Sequence, residues 1–303
     1  MKNLWVQADS NKNKSFLLVF FFILVVIGLG WFFSYIYNSP IILIIAIVVA
    51  LVQSITSYYA GDKIVLATSG AHEIVKKDNP MLWNIVDNLA ITSGLPMPKV
   101  FIITEPVPNA FATGRDPKNA SIAVTSGLLE QLDKNELQGV IAHELSHVGN
   151  FDIRLMTITA ILVGVIAVVS DLFLRSRWLG FGRSRDENNN GGQILALVGI
   201  VAAILAPIVA VIIQLAVSRK REFLADADGA LLTRYPEGLA SALEKISKFS
   251  APIAHASSAT AHLYIANPLG GEEKSEDQPF FTKIFATHPP INERIMILRD
   301  MSL

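Results

Sequence analysis

The sequence contains no cysteine and is poor in charge. Only 17% of its 303 residues are Asp, Glu, Lys or Arg, against about 25% in a typical soluble domain. Without cysteine there can be no disulfide, iron–sulfur cluster, thiolate metal site or cysteine nucleophile, so any metal must be held by His, Asp or Glu. The net charge of −1 lacks the basic surplus of a nucleic-acid-binding protein, and we expect no nucleic-acid partner.

A second absence points to a lipid bilayer. No charged residue occurs between positions 15 and 61, and the mean hydropathy of the chain is +0.44. Two apolar runs, residues 16–37 and 41–60, each approach the ~20 residues that span a bilayer as a helix. The alternative is a secretory signal peptide, whose apolar core is usually about 7–15 residues long and is followed by a cleavage site. The longer first run, followed directly by the second, favours two transmembrane helices.

Two further apolar runs, residues 155–174 and 194–217, predict a second transmembrane pair. With four crossings, the Lys and Arg residues that flank the two pairs fall on one side, which the positive-inside rule makes cytoplasmic. The arginines between the later runs would then lie outside: Arg175, Arg177, Arg183 and Arg185. The second pair is therefore either a crossing hairpin or one that does not fully cross.

These runs divide the chain into four segments: residues 1–61, 62–154, 155–217 and 218–303. The first and third are apolar hairpins, and we interpret the second and fourth as two halves of one cytosolic domain. Strands are predicted at residues 99–104 and 120–125, and helices at residues 80–92 and 133–149. The predicted fold class is mainly α with a small β-sheet, in an integral membrane protein.

Residues 143–147 read His-Glu-Leu-Ser-His, the pattern H-E-x-x-H. This pattern occurs by chance in roughly one chain in a hundred of this length. Asp133 and Glu136, however, have the spacing of a capping box, which predicts a helix that begins there and ends near Gly149. A capped amphipathic helix under the motif favours a working metal site over an accident of composition.

On such a helix His143 and His147 lie one turn apart on the same face, where both rings can bind one zinc ion. Glu144 can reach the attacking water without binding the metal. Catalytic zinc usually has a third protein ligand, and Glu222 and Asp226 share one face of a later helix. One of these two carboxylates can bind zinc while the other accepts the N–H of a ligand histidine.

The alternative for this pair of acids is a solvated helix, on which they pair with Arg219 or Arg221. Topology supplies an independent check, because the ligands of one ion must lie on the same side of the membrane. Two apolar runs separate His147 from Glu222, and an even number of crossings returns the chain to the same side.

Three more motifs accompany this one: P-N-A-F-A-T-G at 108–114, R-E-F-L-A-D-A-D at 221–228 and T-H-P-P-I-N-E-R-I at 287–295. Over nearly its whole length the chain resembles the HtpX family of bacterial membrane zinc metalloproteases, which are gluzincins distantly similar to the CAAX prenyl proteases. The resemblance implies a zincin-like metalloprotease domain on the cytoplasmic face of the bacterial plasma membrane, in a multi-pass chain. The implied substrates are misfolded or damaged membrane proteins and other unfolded polypeptides.

The residues and the resemblance together predict one zinc ion per chain, held by His143, His147 and Glu222, with Asp226 behind a ligand histidine. Glu144 is the predicted general base: it deprotonates the zinc-activated water and then protonates the leaving amine.

The resemblance also suggests residues that act on the substrate. For the oxyanion it implies His288 and Arg294, because the CAAX protease relatives have a His and an Arg at this spacing. A turn-capping role for His288 and a surface position for Arg294 are the alternatives. Zincin substrates usually add as a strand to a sheet edge, which Asn109 would border as a substrate-binding side chain. An ordinary polar loop is the alternative for residues 109–114.

Two other functions are weighed against a protease of this kind. A non-catalytic membrane scaffold would use the metal structurally, but structural zinc normally has four protein ligands, one more than the three predicted. A prenyl-protein processing protease would need a larger membrane chamber than four apolar runs can build.

Overall fold

The structure, a computed structural model, describes residues 4–36, 38–176, 218–249, 251–270 and 289–301. Its helices are α1 (Leu4–Ile36), α2 (Pro40–Tyr59), α3 (Gly61–Thr68), α4 (Pro80–Ser93), α5 (Ser126–Gln131), α6 (Lys134–Gly149), α7 (Asp152–Ser176), α8 (Arg219–Thr233), α9 (Pro236–Ile246) and α10 (Ile291–Arg299). Its strands are β1 (Ala71–Glu73), β2 (Lys99–Ile103), β3 (Ala110–Gly114) and β4 (Ala120–Thr125). The prediction of a mainly helical fold with a small sheet is confirmed.

Two of the described helices are long and apolar enough to cross a membrane: Ala8–Ile36 within α1, and Pro40–Tyr59, which is α2. Large apolar side chains on both are exposed, including Phe16, Trp31 and Val52, as expected of surfaces that contact lipid. Helices α6 and α7 pass the same test only as a pair, and they are bent by 84° relative to each other. The run at residues 194–217 lies outside the described residues, so the second transmembrane pair stays a prediction.

Helix α1 is longer than the sequence predicted. The apolar run begins at Phe16, but the helix begins at Leu4 and has 33 residues, against the ~20 that a bilayer needs. Its apolar face includes Leu18 and Phe22, which are buried against α7. In the polar turns before this face, Asn11 is also buried. Tertiary packing, which hydropathy does not report, therefore extends this helix beyond the apolar run.

The four described strands form one mixed sheet in the order β1-β2-β4-β3. Strands β2 and β4 are parallel, whereas β1 pairs antiparallel with β2 and β3 pairs antiparallel with β4. The strands predicted at residues 99–104 and 120–125 are confirmed as β2 and β4. The polar-loop alternative for residues 109–114 is wrong, because residues 110–114 pair with β4 along their whole length.

The sheet separates two hydrophobic cores, because successive side chains along a strand point to opposite faces. On one face Val100 and Ile122 join a core built largely by α4, α6, α8, α9 and α10. On the other face Phe101 and Phe111 pack against α3 and α7. Helices α6 and α7 thus cover opposite faces of the sheet.

Helix α6 approaches α9 closely at a glycine. A Cβ atom at Gly139 would lie 2.6 Å from the backbone nitrogen of Leu239 and 2.8 Å from its Cα atom. A Cβ atom cannot lie this close to the backbone atoms of a neighbouring helix, so the two helices can meet here only because residue 139 is glycine.

We expect Gly139→Ala to lower the free energy of unfolding by about 1–3 kcal/mol, because the added methyl group must push α9 away from α6. Gly149→Ala is the matched control on the same helix, since a Cβ atom there meets only the Leu95 side chain, at 3.7 Å. Thermal unfolding of both variants in detergent measures the difference. Equal unfolding midpoints would contradict a close α6–α9 contact.

Candidate metal centre

Helix α6 carries the H-E-x-x-H motif into the protein interior. The predicted capping box is confirmed: the Asp133 carboxylate accepts from the Glu136 N–H, and the Glu136 carboxylate accepts from the Asp133 N–H. This cap fixes the first turn and therefore the direction in which later side chains point. His143, Glu144 and His147 are all buried, and the two histidines lie on the side of α6 that faces α8.

The two histidine rings point the same nitrogen toward a shared space. Nε2 of His143 lies 3.2 Å from Nε2 of His147. Glu222 on α8 completes the group, with carboxylate oxygens 3.9 Å from Nε2 of His143 and 3.6 Å from Nε2 of His147. Ligand atoms around a tetrahedral zinc ion are about 3.3 Å apart when each lies ~2.0–2.1 Å from the metal. The observed separations fit one shared ion.

Each histidine is held from behind by a carboxylate. Asp226 Oδ1 lies 2.9 Å from Nδ1 of His143, and Asp152 Oδ2 lies 3.0 Å from Nδ1 of His147. A carboxylate at Nδ1 keeps the proton there and leaves a lone pair on Nε2. Two lone pairs that face each other at 3.2 Å repel unless a cation lies between them. The arrangement therefore fits a metal ion.

The charges around the rings also favour a cation. Burial lowers the pKa of His143, whose ring therefore stays neutral. Burial lowers the pKa of His147 too, but the hydrogen bond with Asp152 and the charge of Glu222 raise it to about 9. Within the described part of the centre, four buried carboxylates face two buried guanidinium groups: Glu144, Asp152, Glu222 and Asp226 against Arg221 and Arg294. With all six groups ionised, the four negative charges exceed the two positive charges by two, so a cation between the rings, a proton on His147 or a metal ion in its place, is favoured.

Asp152 was not identified from the sequence. It lies five residues after His147, beyond the end of α6, as the first residue of α7. Phe151 before it has a φ of +58°, a left-handed conformation that is rare for a bulky side chain. This residue turns the chain sharply and brings Asp152 beneath the His147 ring. An acidic residue just after the motif, at the start of a helix, was the only signal that the sequence offered.

Arg294 on α10 is fully buried behind the Glu222 and Asp226 carboxylates, so the surface alternative for it is wrong. Its Nε and Nη2 donate to the two Asp226 oxygens at 2.8 and 2.7 Å, and Nη1 donates to the Ile265 carbonyl at 3.1 Å. Burial raises the pKa of Asp226, but the charge and hydrogen bonds of Arg294 outweigh it and lower that pKa to about 2. An oxyanion role for Arg294 stays a prediction, and His288 lies outside the described residues.

Glu144 is buried beside the two histidines. Burial raises the pKa of its carboxyl group to about 7, although the charge of His147 acts in the opposite direction. The backbone of Ala112, in the middle of β3, lies close enough to this carboxyl group to lower its pKa. Strand β3 therefore passes directly beside Glu144.

Asn109 immediately precedes β3 and is only 2% exposed. Its amide donates to the Ala266 carbonyl at 3.0 Å, and its Oδ1 accepts from the Ala110 N–H at 3.0 Å. The Ile265 N–H donates to the Ala110 carbonyl at 2.9 Å, so residues 264–266 already pair with the start of β3. Substrate binding by Asn109 stays a prediction, and it would have to act where this segment meets the strand.

Two histidines one helical turn apart, a buried carboxylate from a second helix and a buried glutamate beside them define a metallopeptidase centre. The chain belongs to peptidase family M48, because residues 76–302 match the sequence model of that family.

Relatives that align over nearly their whole length agree with this assignment. Proteins named protease HtpX homolog, from Caldanaerobacter subterraneus subsp. tengcongensis and Thermoanaerobacter pseudethanolicus, are 48% and 45% identical to this chain. The alignments cover 98% and 100% of this chain and 97% and 99% of the two relatives. The predicted family and the predicted enzyme class, a membrane metalloendopeptidase, are confirmed.

A solved structure supports the fold. The crystal structure of Ste24p from S. mikatae aligns with a TM-score of 0.52, over 98% of this chain and 67% of that chain. Only 19% of the aligned residues are identical, so this likeness is evidence for the fold alone.

Proposed function

We propose that the protein is a zinc endopeptidase that cleaves misfolded membrane proteins and other unfolded polypeptides at the cytoplasmic face of the bacterial plasma membrane. One observation carries the proposal. Ligand atoms of His143, His147 and Glu222 converge within 4.8 Å of one another, and all three side chains are buried. Three protein ligands leave a position open for water and substrate, as a catalytic site requires.

Zinc suits these ligands better than other common divalent ions. Two imidazoles and one carboxylate are a frequent set of zinc ligands, whereas magnesium and calcium prefer oxygen. When bound, the ion would lower the pKa of water and polarise the carbonyl of the scissile peptide bond. Asp226 and Asp152 orient the two histidines for this task, and Arg294 holds Asp226 in place.

Glu144 is the group that we propose moves the proton. It takes a proton from the attacking water and then gives it to the leaving amine, so that the peptide bond is hydrolysed without net proton uptake by the protein. Burial raises its pKa to about 7. A carboxyl group with a pKa near the working pH can both accept and release a proton.

We propose that the polypeptide substrate lies along β3. Among the described strands, β3 lies at one edge of the sheet, and it passes Glu144 at Ala112. An extended peptide adds to such an edge through backbone hydrogen bonds, which accept many sequences. Residues 264–266 pair with the start of β3, and Asn109 would contact the substrate where this pairing ends. The proposed oxyanion donors are His288 and Arg294.

The proposed membrane arrangement has α1 and α2 as anchors and residues 62–154 and 218–303 as one cytosolic catalytic domain. Lys12 and Lys14 precede the first apolar run and Lys63 follows the second, which favours a cytoplasmic location for both ends of this hairpin. Residues 155–217 would form a second hairpin between the two halves. In support, the core around α6 contains side chains from both halves, such as Leu145 and Leu239.

Substitution of the third predicted ligand, Glu222, tests the proposal. We expect purified Glu222→Ala to lose its zinc and its cleavage of casein, because two imidazoles alone bind zinc weakly. The loss of zinc affinity should exceed the ~10–100-fold typical of changes outside the ligand shell. Glu237→Ala is the matched control, because that carboxylate pairs with Arg299 at the surface, at 3.0 Å.

Zinc content per chain, measured by atomic emission, and the rate of casein cleavage are the two readouts. Unchanged zinc in Glu222→Ala would remove this residue as a ligand and with it the proposed centre. A wild-type protein that binds zinc but cleaves nothing would favour the membrane scaffold. Cleavage restricted to prenylated peptides would favour the processing protease.

A further inference from the structure

The first membrane helix reaches the metal centre. Asn11 lies in the polar turns of α1 that precede the apolar run, and it is only 2% exposed. Its Nδ2 donates to Asp152 Oδ1 at 2.7 Å and to the backbone carbonyl of Asn150 at 2.9 Å. Both acceptors belong to the turn between α6 and α7, more than a hundred residues away along the chain.

Asp152 links this amide to a predicted metal ligand. While Oδ1 accepts from Asn11, Oδ2 lies 3.0 Å from Nδ1 of His147. Arg221 on α8 also contacts Oδ1, through Nε at 3.1 Å. The Asp152 carboxylate is buried and is thus held by neutral and cationic donors from two other helices. Its orientation, and through it that of the His147 ring, depends on both donors.

The turn that carries Asp152 is itself strained. Phe151 has a φ of +58°, which costs a bulky residue about 1–2 kcal/mol and persists only where the surroundings impose it. Asn11 bonds the carbonyl immediately before this residue. The ammonium group of Lys12 lies 4.5 Å from the centre of the Phe151 ring, so a second side chain of α1 holds the same turn.

We propose that Asn11 is a positioning residue for the metal centre, so that α1 is a structural part of this centre as well as a membrane anchor. Asn11 acts through Asp152: its amide fixes the carboxylate that fixes His147. The inference depends on the proposed function in two respects only: that the ion is zinc, and that His147 is one of its ligands. It predicts that a change in the membrane helix alters how tightly, and with what geometry, the metal is held.

The test compares variants of the full chain in detergent. We expect Asn11→Leu to weaken Zn²⁺ binding about tenfold, because partners behind a metal ligand typically contribute ~10–100-fold to affinity. Asn11→Asp keeps the size of the side chain but places a like charge beside Asp152, and should weaken binding further. Ser15→Ala is the matched control, because this buried hydroxyl lies one turn along α1 and donates only to the Asn11 carbonyl, at 2.8 Å.

Three readouts separate positioning from a general loss of folding. Competition with a chelator gives the Zn²⁺ dissociation constant, the visible absorption of the Co²⁺-loaded protein reports ligand geometry, and the unfolding midpoint of the metal-free protein reports stability. We expect the Asn11 variants, and not Ser15→Ala, to change the first two. If Asn11→Leu does not fold, Asn11→Asp decides the question with the same readouts.

A double-variant cycle tests whether Asn11 acts through Asp152. In an Asp152→Asn background, Asn11→Leu should have no further effect on the Zn²⁺ dissociation constant. An equal effect in both backgrounds would overturn the proposed route. Zinc affinity and a Co²⁺ spectrum in Asn11→Leu that match those of Ser15→Ala would overturn the inference itself. A wild-type protein that binds no zinc would instead overturn the proposed function, so the two failures are distinct.

Discussion

Glu144→Gln should abolish proteolysis while the metal stays bound. The amide has the same shape as the carboxyl group but cannot accept the proton of the attacking water. Loss of a general base typically costs about 10²–10⁴-fold in rate, and this site offers the water no second base of comparable placement among the described residues. Because Glu144 is not one of the three converging ligands, zinc content should not change.

The measurement pairs the rate of casein cleavage with zinc content. Glu130→Gln serves as the control, because it makes the same chemical change at an exposed position on α5. A zinc-loaded Glu144→Gln variant with wild-type activity would refute the general-base role. Loss of zinc from this variant would show instead that Glu144 binds the metal, and the proposed division between base and ligands would be wrong.

Helix α6 was predictable because the signals that shape it are local. The capping box, the histidine spacing and the end near Gly149 all lie within one stretch of helix, and each depends on helical geometry alone. The same holds for β2 and β4, whose apolar side chains are buried on both faces of the sheet. Residue pattern and structure agree wherever neighbours in sequence decide the outcome.

Asp152 and β3 were missed because distant parts of the chain decide their positions. Asp152 reaches His147 only through the left-handed conformation of Phe151, for which no glycine or asparagine at that position gave a signal. Strand β3 ends in glycine and follows two prolines, so its local pattern is that of a loop. Pairing with β4 turns this segment into a strand, which is a tertiary effect.

The positions of the two acids on α8, Glu222 and Asp226, could be predicted only in part from the sequence. Their four-residue spacing predicted that one carboxylate would bind the metal and that the other would support a histidine. Spacing alone left the two roles open, and the family resemblance assigned the ligand role to Glu222. The geometry favours the same assignment, because Glu222 faces both Nε2 atoms while Asp226 lies at Nδ1 of His143. Residue spacing also could not predict that Arg294 is buried behind both acids, because its helix, α10, is distant from α8 in the sequence.

That burial leads to the largest expected effect on stability. Arg294→Met should lower the free energy of unfolding by about 3–5 kcal/mol, because it leaves the Asp226 carboxylate buried without its cation. Methionine fills most of the same volume, so the loss comes mainly from charge and hydrogen bonding. Thermal unfolding of the metal-free protein in detergent measures the effect, and zinc affinity should fall in parallel because Asp226 orients His143.

Two further variants identify the cause. Arg299→Met is the control, because it makes the same substitution on the same helix. Arg299 also pairs with two carboxylates, at 3.0 and 2.8 Å, but its side chain is 45% exposed. Water can solvate these carboxylates when the arginine is removed, so we expect little effect on stability. Adding Asp226→Asn to Arg294→Met removes the unpaired charge and should restore part of the stability. If Arg294→Met and Arg299→Met unfold at the same midpoint, the buried pair does not support the metal centre. Lost cleavage at unchanged stability and zinc content would then favour the oxyanion role for Arg294.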